Sequence, residues 1–119
     1  MSRSRPSGLA GARQLRLHAL IFAALGDETR LRLVARLFNQ SPSSISELTD
    51  GHPITRQAIT KHLQVLESVG VVRGEMAGRL RLFELNPEPL MQVKDYLNLV
   101  SAQWDEALAR LKAHVELPR

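Results

Sequence analysis

The chain has 119 residues, 44% of them hydrophobic and 24% charged, a balance that suits one globular domain with a modest core. It contains no cysteine, which excludes disulfides, thiolate metal sites and cysteine redox chemistry. Sixteen basic residues against twelve acidic ones give a formal charge of +4 and a pI near 10.3, and the excess is unevenly spread.

Residues 52–81 hold Arg56, Lys61, Arg73, Arg79 and Arg81 against Glu67 and Glu75 alone. Residues 84–116 reverse the balance, with Lys94, Arg110 and Lys112 against six carboxylates. A basic centre beside an acidic tail points to a polyanion bound on one face. No stretch approaches the about 20 apolar residues of a membrane span. The arginine-rich start followed by Ala19–Leu25 is too short and interrupted to predict export.

Residues 1–12, rich in Ser, Pro, Arg and Gly, predict a mobile basic arm ahead of a domain at 13–116. From Arg13 to Leu25 a helix is predicted whose apolar positions (Leu15, Leu17, Leu20, Ile21, Phe22, Leu25) cover more than one face. Such a helix is buried on two sides, by its own core and by a partner. Gly26 breaks it, and Asp27 caps a second helix running to about Phe38. There Leu31, Leu33, Val34, Leu37 and Phe38 supply the core side and Arg30, Arg32 and Arg36 a solvated one. Residues 39–43 predict a loop, Ser44 caps a short helix over Ile45–Thr49, and Asp50-Gly51-His52-Pro53 predicts a turn.

The next helix is the centre of the reading. Thr55 is its cap, and Ala58, Ile59, Leu63, Leu66 and Val69 recur at helical spacing as an apolar stripe. Arg56, Gln57, Thr60, Lys61 and Gln64 project from the other side, with no carboxylate before Glu67. Arg and Lys can reach guanine, Gln can reach adenine and Thr a thymine methyl, so this face suits the DNA major groove. Gly70 ends the helix.

An extended segment then starts at Val71-Val72-Arg73, turns at Met76-Ala77-Gly78-Arg79 and returns over Leu80–Leu85. A hairpin directly after a recognition helix is a wing, and Arg79 and Arg81 at its tip would meet phosphates or a minor groove. Pro87 and Glu88 open the longest helix, to about Val115, with Leu90, Val93, Leu97, Val100, Trp104, Leu108, Leu111 and Val115 in one stripe. That stripe exceeds what so small a body can cover. A two-fold interface is therefore predicted from Leu17, Leu20, Ile21, Leu97, Val100, Trp104, Leu108 and Leu111. The predicted fold is mainly α with a small β-hairpin: a winged helix-turn-helix of five helices and a two-stranded wing.

Taken together, Ala24–Leu33, Ile45–Leu48, Ile54–Leu66, Gly70-Val71-Val72 and Gly78–Leu85 resemble, in order and spacing, the ArsR/SmtB family of dimeric winged-helix repressors. The resemblance implies a cytoplasmic homodimer that binds a near-palindromic operator in double-stranded DNA and represses, often at its own promoter. It implies that Thr55, Arg56, Gln57, Thr60 and Lys61 face DNA, with Gln64 a weaker contact. His62 would stand at the DNA-facing edge, or else pack the helix as a half-buried polar residue. The positions of the metal-sensing cysteine pair fall around Ser43–Glu47, without a thiol. Asp95, His114 and Glu116 make only an incomplete version of the other metal set. The chain therefore resembles the metal-independent members, with no metal, no cofactor and no enzymatic activity expected. Three readings stay open beside the simple repressor: a protein-interaction module using the basic face, a metal-responsive repressor, and one answering a small apolar effector near Trp104 and Tyr96.

Overall fold

The computed structural model describes the backbone of residues 7–116, with side chains from residue 11 onward. Five helices and three short strands follow in order: α1 (Ser7–Leu25), α2 (Glu28–Asn39), β1 (Ser43–Ser44), α3 (Ile45–Thr49), α4 (Arg56–Ser68), β2 (Val72–Ala77), β3 (Leu80–Leu85) and α5 (Pro87–Glu116). Helix α1 starts at Ser7, ahead of the expected Arg13, and residues 1–6 of the expected arm lie outside the described residues.

The helix starts follow the caps. Asp27 accepts the Arg30 amide at 3.0 Å, Thr55 accepts the Ala58 amide at 3.0 Å, and Ser44 with Glu47 closes a reciprocal capping box. Each cap fixes where a core-facing stripe begins. Leu33 and Leu37 of α2, Leu48 of α3, and Ile59, Leu63 and Leu66 of α4 are then buried with Val71, Val72 and Phe83 under the helices. Gly70, at φ +80°, turns the chain out of α4 where an L side chain would be strained. Asn86 fastens the end of the wing to that turn, donating its backbone amide to the Val71 carbonyl at 2.8 Å and its side-chain amide to Gly70 at 3.0 Å.

The sheet departs from expectation in one respect. Residues 43–44, expected to be a loop and a cap, pair with Phe83 and Leu82, so the order is β1-β3-β2 and the wing hairpin gains a third, two-residue strand. Ser43 can sit at the edge of the core because its hydroxyl donates to the Gln40 carbonyl at 2.5 Å. The hairpin turn is also tighter than expected: Ala77 pairs Leu80 across Gly78-Arg79 alone. Gly78 supplies the positive φ (66°) that a two-residue hairpin turn needs.

Helix α1 packs on α5 through His18, Phe22 and Tyr96; the His18 and Tyr96 rings are 4.9 Å apart. Only the first half of α5 is covered in this way. Residues 101–116 are exposed apart from a half-buried Ala107. At 1.5 Å per residue α5 is about 45 Å long. The radius of gyration of 19.9 Å far exceeds the about 13.5 Å of a compact domain this size.

Candidate nucleic-acid interface

Helices α3 and α4, joined through residues 50–55, form the helix-turn-helix, and α4 lays its buried stripe on the core. This orientation sends Arg56, Gln57, Lys61 and Gln64 into solvent. Among the described residues none of these four side chains has a hydrogen-bond or ion-pair partner. Their donors are therefore free for a ligand. Thr55 is exposed but spends its hydroxyl oxygen on the cap. Thr60, half-buried, donates its hydroxyl to the Arg56 carbonyl at 2.8 Å. Arg79, in the wing turn, is exposed and also without a partner among the described residues.

Besides the two threonines, two more of the nine expected contacts are engaged inside the protein. His62 is half-buried, with Nδ1 accepting from Arg30 Nη1 at 3.2 Å and lying 3.8 Å from Asp27 Oδ2. It thus packs α4 against the start of α2, the second of its two sequence readings. Arg81, expected at the wing tip, folds back instead. Its guanidinium meets the Glu67 carboxylate at 2.7 Å and stacks 5.2 Å from the Phe83 ring centre. The space for it comes from Gly74, where a Cβ would lie 2.6 Å from Arg81 Nε. Arg81 thereby ties the wing to α4, and it neutralises the one carboxylate on that helix.

Other arginines also turn out to have partners. Arg30 donates Nε to the Ala24 carbonyl at 2.5 Å and caps the end of α1, and Arg36 donates to Glu47 and Asp50 carbonyls at the end of α3. Both were expected on a merely solvated face. Arg73 faces Glu84 across the hairpin at 3.8 Å. Asp27 is held below the usual carboxylate range, chiefly by the Arg30 backbone amide; burial works against this and the Arg30 charge adds to it. On the reading helix and the wing tip, Arg56, Lys61 and Arg79 are without an ion pair among the described residues.

The expected interface divides. Ile21 is only 5% exposed and belongs to the monomer core, because it lies with Ala24 on the side of α1 that joins the buried cluster of Ile59, Leu63 and Leu66. This corrects its assignment to a partner surface. Leu17, Leu20, Leu97, Trp104, Leu108 and Leu111 are exposed, and Val100 is half-buried. Tyr96 and Trp104 do not enclose a common cavity: Tyr96 packs on α1, while Trp104 is 63% exposed beside a shallow hollow with Gln103 and Ala107. Among the described residues no cluster of three or more metal-ligating side chains occurs, and no helix is long and apolar enough to cross a membrane.

A helix-turn-helix whose second helix offers free cationic and amide donors, braced by a hairpin with a basic tip, defines a winged helix-turn-helix DNA-binding regulator. Residues 25–75 match the helix-turn-helix domain family. The chain is 42% identical over 76 residues to an uncharacterized HTH-type transcriptional regulator of Bacillus subtilis, across 59% of this chain and 83% of that protein. Its structure is similar to an ArsR-like transcriptional regulator from Rhodococcus, with a TM-score of 0.74 and 31% identity over 88% of this chain and 97% of the other. The fold also matches a homodimeric winged helix-turn-helix DNA-binding domain from Mycobacterium bovis, at 20% identity and a TM-score of 0.61 over the whole of both chains. The chain belongs to the ArsR family of transcriptional regulators and is a DNA-binding protein of that kind. Fold and family are both those of transcriptional regulators.

Proposed function

We propose that the protein is a homodimeric cytoplasmic repressor, clasped through α1 and α5 and seated on a near-palindromic operator, often its own. The observation that carries this reading is the coexistence of two unsatisfied surfaces. Among the described residues the donors of Arg56, Gln57, Lys61 and Gln64 have no partner, and the apolar stripe of α5 runs beyond what those residues cover. A two-fold axis through α1 and α5 answers both, since it buries the stripe and sets two α4 helices about 34 Å apart for successive major grooves. The homodimeric Mycobacterium bovis domain of the same fold supports this arrangement. Gln57 and Arg56 read base edges, Thr60 offers its methyl, Lys61, Gln64 and Thr55 hold the backbone, and Arg79 reaches a flanking phosphate. His62 and Arg81 serve by fixing α4 and the wing. With no cysteine in the chain, the repressor belongs to the members that work without a thiolate metal sensor.

Mapping of bound fragments in the native host, followed by fluorescence anisotropy on the recovered operator, tests the reading. Gln57→Ala is expected to cost about 1–3 kcal/mol on the cognate site and little on scrambled DNA. Arg79→Ala is expected to weaken both and lower the salt slope by about one phosphate's worth. Equal losses on both DNAs for Gln57→Ala would remove its base-reading role. Absence of any site preference in the parent protein would favour a protein-docking module instead.

A further inference from the structure

We propose that the cleft between α2, the end of β3 and the first turns of α5 is an effector site for a small amphiphilic carboxylate. The cavity measures about 280 Å³ and is walled by Val34, Phe38, Leu85, Leu90 and Met91, with Lys94 the charged group at its rim. Scaled from a 150 Å³ cavity that holds benzene, this space takes roughly eleven heavy atoms, and it stands at the small end of ligand clefts. The walls are carbon. A ligand body there must be hydrocarbon, because a polar group would lose its water without a replacement.

The head group follows from charge. Lys94 has no ion pair among the described residues. Its helical neighbours, Leu90, Met91, Leu97 and Asn98, carry no carboxylate. One free ammonium over an apolar pit is complementary to one carboxylate on a short chain. Two large apolar side chains flank the opening bare, Phe38 at 79% and Met91 at 62% exposure. None of the lining residues belongs to α1 or is among Leu97, Val100, Trp104, Leu108 and Leu111, the α5 residues assigned to the partner; Leu90, at the N-terminal end of the stripe, lines the cleft. The neighbouring hollow toward α1 is bounded instead by Pro89 and Gln92, on another side of α5.

The cleft is wired to the reading helix. Helix α2 forms one wall, and its first turn carries Arg30, which with the Asp27 cap holds His62 of α4. A ligand wedged between α2 and α5 moves the element on which α4 is aimed, so ligand and DNA compete through the protein. This regulation rests on the DNA-binding reading above, whereas occupancy of the cleft does not.

Octanoate, with ten heavy atoms, is the probe. Titrated into the full chain without DNA and followed by amide chemical shifts, it is expected to bind saturably, with the shifts centred on Val34, Phe38, Leu90 and Met91. Lys94→Glu is expected to weaken octanoate at least tenfold and to reverse the preference in favour of octylamine. Val34→Trp fills the cavity and is expected to abolish binding of both. Shifts centred elsewhere, non-saturating binding, or equal affinity for octanoate, octanol and octylamine would overturn the site. In a parallel anisotropy titration, saturating octanoate is expected to weaken operator binding about tenfold. Unchanged operator affinity at saturation would overturn the effector role. A protein that binds octanoate yet has no DNA affinity with or without it would instead overturn the function on which that role rests.

Discussion

Leu108→Ala probes the two-fold clasp at a position where the energetics can be worked through. Leu108 is 55% exposed in the single chain. Burying a whole leucine side chain stabilises by about 1.5–3 kcal/mol, so covering the exposed half contributes about 1 kcal/mol, most of which alanine forfeits. A two-fold interface contains each substitution twice, which brings the loss to about 2 kcal/mol per dimer. That corresponds to a dimer dissociation constant roughly 30-fold higher. The monomer itself should hardly notice, since Leu108 lies in the uncovered half of α5. Sedimentation velocity across a dilution series reads the constant directly. Trp104, one turn before Leu108 and open to solvent in the single chain, gives a second readout, because its emission should move to shorter wavelength as the partner covers it. A parent protein that sediments as a monomer at tens of micromolar would refute the reasoning. So would a Leu108→Ala variant that dimerises as tightly as the parent.

Three further outcomes follow from local contacts. Gly74→Ala drives a methyl to within 3 Å of both Arg81 and the Phe83 ring, and is expected to cost about 1–3 kcal/mol in urea unfolding; an unchanged midpoint would show that the Arg81 brace is dispensable. Thr55→Ala removes the α4 cap and should cost about 1 kcal/mol by thermal melting, and a shift no larger than that of an exposed mid-helix control would deny the cap its role. Because the Asp27 pKa is lowered in the fold, the unfolded chain binds the proton more readily. Its contribution is complete above the ordinary aspartate range and fades as pH falls through the lowered value. Asp27→Asn, which can still cap, should therefore flatten the acid arm of the stability curve, and superimposable acid arms would refute the assignment.

Much of the fold is written locally and could be read that way. Thr55, Ser44 and Asp27 announce helix starts because a short oxygen-bearing side chain satisfies amides three residues on, whatever the distant chain does. The stripe of α4 and the Gly78 turn are equally local. The missed features depend on residues far apart. A two-residue strand at Ser43–Ser44 has no periodicity to detect, and it exists only because β3 passes beside it. Arg81 and Arg79 look alike in the sequence, yet Arg81 is captured by Glu67 fourteen positions earlier while Arg79 is not. His62 is drawn inward by an arginine 32 residues away. Leu20 and Ile21 differ by about 100° around α1, enough to put one in the core and the other in solvent, and composition could not choose between them. Free cations on the reading face were therefore legible as a group, but which arginines stay free was decided by tertiary pairing.

Under the proposed two-fold clasp, the overhang of α5 ties the protein's persistence to its abundance. A copy made when few others are present keeps a row of bare leucines and a tryptophan in water until it meets a mate. Scarcity thus costs the cell occupied operators and also leaves it with adhesive singletons open to degradation. A gene under its own product's control would feel both effects at once, so the length of one helix sets a floor on how sparingly such a regulator can be made.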